Sequence, residues 1–348
     1  MKKYKLERLY FSKKLEILSH KPMRETALLL RREELKGMMH AERYLDCTVI
    51  GEAVVDIIVP VQSFSQLNVL FAGIHNTHYT IASGGTANIA AGLAALEGKS
   101  AFIGKVGADC FGSFFRKDLE EAHVMSNISV SETGKTGLAI TISSVQDEEQ
   151  FFIVERGANA ELRSSDIDYD LASKSSAVYF TGLSFQETAV AQAVLSFVEE
   201  AAAEGKTVVF NPGAPNIASA CCKTIVGAVK EYVDIVILNS AEGQALSRSQ
   251  EDEEIAGFLL SLGVNTVVLT KGDQGSVIST PSQTHRIEID PIDAVDTTGA
   301  GDAYAAGFIY GMVRAWDLEK AGRFASSVAQ AVLGKQGARF NSSDIKPI

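Results

Sequence analysis

Four short, largely β-branched runs separated by helix-length stretches constrain this chain more than any other feature. The runs are 177–181, 207–210, 235–238 and 266–270, and helices are expected between them at 187–204, 217–230 and 253–262. Strands that are apolar throughout must be buried on both faces, and helices alternating with them supply the cover. The expected fold class is therefore α/β, with a mostly parallel central sheet flanked by helices on both faces. Ligands of such sheets collect at the carboxyl ends of the strands. Three loops there carry polar or Gly-rich sequence: Asn211-Pro212-Gly213, Asn239-Ser240-Ala241-Glu242 and Thr270-Lys271-Gly272.

The earlier part of the chain has a different texture. Runs 47–50 and 54–59 are β-branched, with Gly51 between them. Gly84-Gly85 opens a small-residue helix through Asn88 to Leu96, and 101–103 is a short strand. A helix is expected over 111–121, with Phe111, Phe114, Phe115 and Leu119 on one face. Segments 137–144 and 150–155 alternate polar and apolar residues, as a hairpin wet on one side does, and the polar run 145–149 connects them.

With 348 residues the chain can bury a core without staples. A net charge of −11 argues against a nucleic-acid partner, because phosphate backbones reward a basic face. No apolar run approaches the ~20 residues that span a bilayer, so no membrane partner is expected. The charged N-terminus has no apolar leader core, and four cysteines without a C-x-x-C spacing suit a reduced, cytoplasmic setting. Residues 1–46 stand apart, with 12 Lys/Arg against 7 Asp/Glu. They read as a basic helical extension. It is either a packing extension, a basic arm, or an upstream stretch of reading frame with the working start at Met38 or Met39.

The chemistry concentrates in Asp296-Thr297-Thr298-Gly299-Ala300-Gly301-Asp302. A Gly-rich turn feeding a helix leaves backbone N–H groups pointing outward at the positive end of the helix dipole, which makes an anion site. A carboxylate at its mouth, Asp302, suits phosphoryl transfer, where the attacking hydroxyl needs a base. The plainer reading is an N-terminal Asp after a Gly turn. Asp56 lies inside a β-branched run, facing either water or a hydroxyl-bearing ligand. Asn239-x-x-Glu242 follows a strand and is either a capping box or a group that places Mg²⁺-bound phosphate through water. Thr270-Lys271-Gly272 with Gly275 is a turn or a nucleotide border. No G-x-x-x-x-G-K-[ST] exists, since Gly134-Lys135-Thr136 has Ser129 where the first Gly is required, and there is no G-x-G-x-x-G. His75-x-x-His78 lacks a Glu partner and reads as loop surface.

Together these features resemble the ribokinase-like carbohydrate and nucleoside kinases of the PfkB family, from about residue 47 to the C-terminus. The 296–302 run resembles the family's second signature. Gly84-Gly85 through Asn88, with Gly104-Lys105-Val106-Gly107-Ala108-Asp109 and Gly112, resembles its first, and Asn239-x-x-Glu242 its N-x-x-E motif. The resemblance implies a kinase domain over 47–348 that moves the γ-phosphoryl of ATP, with Mg²⁺, to a sugar hydroxyl. It also implies that the segments at about 52–60 and 137–156 form a small β-sheet lid. It implies Asp302 as base and the backbone of Gly299, Ala300 and Gly301 as anion hole. Asp56, Gly84, Gly85 and Asn88 would hold sugar hydroxyls. Thr270, Gly272 and Gly275 would border ATP beside Asn239 and Glu242. Arg156, where the lid hairpin returns, would meet an acidic sugar or a phosphate. Asp296, Thr298 and Gly337 match a monovalent-cation (K⁺) site. A homodimer through the lid is also implied. Thr86 stands where ribokinases proper carry Lys, which counts against ribose and leaves an adenosine-like nucleoside as a second acceptor. A non-catalytic sugar sensor with residues 1–46 as effector arm is the reading from another class, and the intact Gly-Ala-Gly-Asp argues against it.

Overall fold

The structure is a computed structural model that describes residues 44–61, 78–144, 150–290, 292 and 294–345. The basic extension up to Arg43, the hairpin connection 145–149 and His75 lie outside the described residues.

Two sheets organise the chain. In chain order the elements are β1 (Leu45–Ile50), β2 (Ala53–Val61), β3 (Thr80–Gly85), α1 (Ala87–Ala95), β4 (Ser100–Gly107), α2 (Cys110–Glu121), β5 (Met125–Ser131), β6 (Gly137–Ser144), β7 (Gln150–Glu155), α3 (Asp170–Lys174), β8 (Ser175–Thr181), α4 (Thr188–Ala203), β9 (Thr207–Asn211), α5 (Pro215–Ala220), α6 (Cys222–Tyr232), β10 (Ile235–Asn239), α7 (Ser240–Ser247), α8 (Asp252–Ser261), β11 (Thr266–Thr270), β12 (Ser276–Ser279), β13 (Thr284–Ile287), α9 (Ala300–Val313) and α10 (Leu318–Leu333). The large sheet runs β13-β12-β11-β10-β9-β8-β1-β4-β5. From β11 through to β5 every pairing is parallel, and β12 and β13 add an antiparallel edge.

Successive residues of the central strands face opposite layers. Ile50, Phe180, Phe210, Leu238 and Leu269 pack on Val194, Phe197 and Ile225. Their neighbours Val49, Tyr179, Val209, Ile237 and Val268 pack on Ile89, Leu93, Phe308 and Ile309. This period of two, apolar on both faces, is what a doubly covered sheet requires. The order reverses at β1, which lies between β4 and β8, so the switch point opens at the carboxyl end of β1.

The small sheet, β3-β2-β6-β7, is the expected lid. β6 and β7 form the anticipated hairpin. β2 pairs parallel with β6 and antiparallel with β3, in which Asp56 lies opposite Ala82. Gly84-Gly85 therefore ends a lid strand instead of forming a free turn, and the helix begins at Ala87. The last described strand, Thr284–Ile287, ends nine residues before Asp296. The helix expected over 217–230 breaks in two at Cys221. On α2, Phe115 and Leu119 are fully buried, while Phe111 and Phe114 are only partly covered.

Candidate active site

The head of α9 is built as the glycines suggest. Gly299 has φ +79°, the left-handed region that glycine enters without strain, and a side chain there would collide with Ala338. A Cβ on Gly301 would meet nothing within 4 Å, so the first turn of the helix faces open space. Asp302 lies in that first turn.

Asn88, near the start of α1, donates Nδ2 to Asp302 Oδ2 at 3.1 Å. Asp56 is a near neighbour of both Asn88 and Asp302. The Asn88 Oδ1 is buried without a partner, an acceptor left for a ligand. Gly84 presses on Asp56 so closely that any side chain there would overlap the carboxylate. Residues from β2, β3, α1 and α9, widely separated in sequence, thus meet at one place. Burial pushes the Asp302 carboxyl up to about 6, against the Asn88 hydrogen bond and the charge of Arg339, which pull it down. Burial and the neighbouring Asp302 push Asp56 up to about 7, opposed by Arg339 and Asn88.

Arg339 has no signal in sequence spacing. It follows Gly337-Ala338 and reaches back 256 positions to donate Nη2 to the Ser83 carbonyl at 2.7 Å. The same nitrogen meets Asp118 of α2 at 3.0 Å. Arg339 lines a small cavity together with Asp56, Thr80 and Gln336, and the Gln336 Nε2 is buried without a partner.

Arg156 is not grouped with these residues. Its Nη2 pairs with buried Glu52 at 2.6 Å and approaches the Leu183 carbonyl at 3.4 Å, and Glu187 lies 3.9 Å from Nη1. Its Nε and Nη1 make no hydrogen bond and are buried.

At the carboxyl ends of β10 and β11 the nucleotide-side residues are mostly backbone. Asn239 and Glu242 form the capping box. Asn239 Oδ1 accepts from Glu242 N at 2.9 Å, and Glu242 Oε2 accepts from Asn239 N at 2.9 Å and from Asn211 Nδ2 at 3.3 Å. Burial pushes Glu242 up to about 7, with those hydrogen bonds opposing it. Thr270 Oγ1 donates to the Leu238 carbonyl at 3.3 Å. Gly272 (φ +60°) has open space where a Cβ would lie, and a side chain on Gly275 would strike the Ile287 carbonyl. Asp296 ties two loops by accepting from Thr298 N and Gly337 N, each at 2.9 Å. Among the described residues no cluster of three or more His, Cys, Asp or Glu is placed to hold a metal ion.

This arrangement can orient a hydroxyl on a carboxylate beside a helix N-terminus that faces open space, which is the geometry of phosphoryl transfer to an alcohol. The pfkB family carbohydrate kinase pattern matches residues 45–345, and the chain belongs to that family. It is 26% identical over 298 residues to a ribokinase of Staphylococcus aureus, covering 84% of this chain and 94% of that one. It is 30% identical over 268 residues to a 5-dehydro-2-deoxygluconokinase of Geobacillus kaustophilus, covering 72% and 78%. Among solved structures, an adenosine kinase from Sinorhizobium meliloti superposes with a TM-score of 0.77 at 26% identity, over 85% of this chain and 95% of that one. The chain is a ribokinase-like carbohydrate kinase, a phosphotransferase with an alcohol acceptor. Kinases of this fold take the phosphoryl group from ATP with Mg²⁺, and one solved neighbour holds the two together.

Proposed function

We propose that this kinase phosphorylates a free sugar, with Asp302 as general base and the backbone of Gly299, Ala300 and Gly301 as the anion hole. The observation that carries this is the Asn88 amide, which bonds Asp302 beside Asp56 at the head of a helix open to solvent. Asp56, Asn88, Gly84 and Gly85 hold acceptor hydroxyls, the unpartnered Asn88 Oδ1 accepting one of them. Asp302 takes the proton as the acceptor oxygen bonds to phosphorus and the bond to the departing ADP breaks. The first-turn N–H groups of α9 meet the charge on the transferred group.

The nucleotide side fits ATP with Mg²⁺. Thr270, Gly272 and Gly275 border an open edge at the sheet's carboxyl end, and Glu242 keeps a carboxylate beside Asn239 for a metal-bound water. Mg²⁺ supplies charge neutralisation on the phosphates. Asp296, Thr298 and Gly337 fit a K⁺ site in that one carboxylate already joins both loops. Arg156 serves the acceptor through Nε and Nη1, which make no hydrogen bond within the protein.

Residues 47–348 form the kinase domain, with 1–46 an extension that takes no part in catalysis. We read the protein as cytoplasmic, its four cysteines being free, and acting on small molecules without nucleic acid or membrane. No described helix is long and apolar enough to cross a membrane. Two copies pairing through the lid is supported by β7, where Phe151, Phe152, Ile153 and Val154 are all at least half exposed.

A nucleoside acceptor is the second reading, favoured by the likeness to adenosine kinase and by Thr86 after the glycine pair. A coupled assay with Mg-ATP across sugars, sugar acids, sugar phosphates and nucleosides tests both. Turnover confined to nucleosides overturns the sugar reading.

A further inference from the structure

Arg339 is half-buried among acidic groups from three elements, with 30% of its side chain exposed. Among the described residues its hydrogen bonds all leave from Nη2, to the Asp118 carboxylate and to the carbonyl and hydroxyl of Ser83. Asp118 also accepts from Ser83 N at 2.9 Å and from the Ser83 hydroxyl at 2.5 Å, which locks the end of β3 to α2. Asp118 alone would neutralise the guanidinium. Yet Arg339 lines the same cavity as Asp56, and Asp302, held by Asn88, is the neighbouring carboxylate. The groups acting on Asp302 come from every side: Asp56 of β2, Asn88 of α1, Glu242 of α7, Tyr179 of β8 and Arg339. Arg339 is the cation of that set. Two neighbouring carboxylates in a partly buried site repel, and without a counter-charge one of them tends to stay protonated.

We propose that Arg339 is a positioning residue, the fixed counter-cation that lets Asp302 and Asp56 be ionised side by side while its grip on Ser83 holds the Gly84-Gly85 strand end against them. Its charge is already matched by Asp118, Asp56 and Asp302, so this end of the pocket has no positive charge to spare for an anionic acceptor. The acceptor presents neutral hydroxyls here. The functional meaning rests on Asp302 being the base, but the test does not.

The test is a ¹³C-carboxyl NMR titration of the aspartates in the ligand-free protein, with Asp302→Asn and Asp56→Asn to assign the signals. In Arg339→Gln both midpoints should rise by about one pH unit, the low end of what a neighbouring guanidinium does to a carboxylate. Arg339→Lys should stay close to wild type. A folded Arg339→Gln with unmoved midpoints overturns the proposal, as does an Arg339→Lys displaced as far as Arg339→Gln. A merely structural arginine would lower thermal stability in both variants and leave the titration alone. If neither variant folds, Asp118→Asn decides: with its direct partner gone, the guanidinium should draw both midpoints down, and no movement sinks the idea. Turnover of Asp302→Asn judges the base separately, so the two failures are distinguishable.

Discussion

The two halves of the site are made of different material. On the proposed acceptor side, Asp56, Asn88, Asp302 and Arg339 are charged or polar side chains that act on one another. On the proposed nucleotide side, Gly272 and Gly301 offer backbone beside open space, next to the capped end of β10. A side-chain network can discriminate one hydroxyl pattern from another but carries ionisable groups whose state varies with pH. A backbone cradle suits a constant phosphate and has little to titrate except Glu242. Specificity and pH sensitivity should therefore belong to the first half and not to the second.

The largest test of that contrast is Asp302→Asn, expected to lower kcat ~10²–10⁴-fold with both ligand affinities nearly intact, as removal of a general base does. Retention of more than about half of wild-type kcat would show that another group takes the proton. Next, Asp56→Ala and Asn88→Ala should weaken acceptor binding by roughly ten- to a hundredfold while ATP binding, followed by calorimetry, changes little. Equal losses for both ligands would dissolve the division into halves. Third, kcat/KM for the acceptor should fall about tenfold per pH unit between 7 and 6 and about a hundredfold per unit well below 6, the slopes of one and then two required ionisations. The KM for ATP should stay flatter over the same range. A pH-independent acceptor KM from 5 to 8 contradicts the assignment of Asp56.

A smaller effect concerns stability, and its sign is opposite to the usual acidic case. Asp56 and Asp302 have folded-state pKa values raised above their ordinary ones, so the native state binds more protons than the unfolded chain between about pH 4 and 7. Their contribution is fully favourable only below about pH 4 and is lost progressively as pH rises through 6 and 7. Asp302→Asn and Asp56→Asn should raise Tm most at pH 8, and calorimetry should show that gain shrinking steadily toward pH 4. The smallest expected effect is that of removing residues 1–37. A chain starting at Met38 should keep its kcat, since every proposed site residue lies beyond it. A truncated protein folded by circular dichroism yet inactive would give the extension a part in the site.

The parallel sheet was legible because its strands are short, apolar on both faces and spaced by whole helices. The Gly299–Asp302 turn was legible because small residues and a carboxylate follow one another directly in sequence. Asn239 and Glu242 could be seen as a pair, and both readings of them survive: the capping box forms, and a buried carboxylate remains at the strand end. Arg339 could not be seen. Its partners Asp118 and Ser83 are brought to it only by the closure of α2 and β3 over the C-terminal loop, and no local pattern marks such a contact. Strand β3 escaped for a related reason. Thr80-Ile81-Ala82-Ser83 is too short and too mixed to declare itself, and only pairing with β2 makes it a strand. Arg156 was legible only as a cation at a lid return; that one of its nitrogens bonds Glu52 could not be read from the sequence.

One side chain stands at the crossing between the two sheets. Asn159 accepts from Ala53 N at 2.7 Å and donates to Ala53 O at 2.9 Å, imitating a neighbouring strand where the backbone leaves β1 for β2. It also donates to the Arg156 carbonyl at 2.8 Å, so the far end of the lid hairpin and the root of β2 are clamped by a single amide. Asp56 lies only three residues beyond that clamp. Any tilt of the hairpin is thus geared to the strand that carries Asp56, and a lid so pinned works as a lever with its fulcrum beside the acceptor, not as a flap that swings free of it.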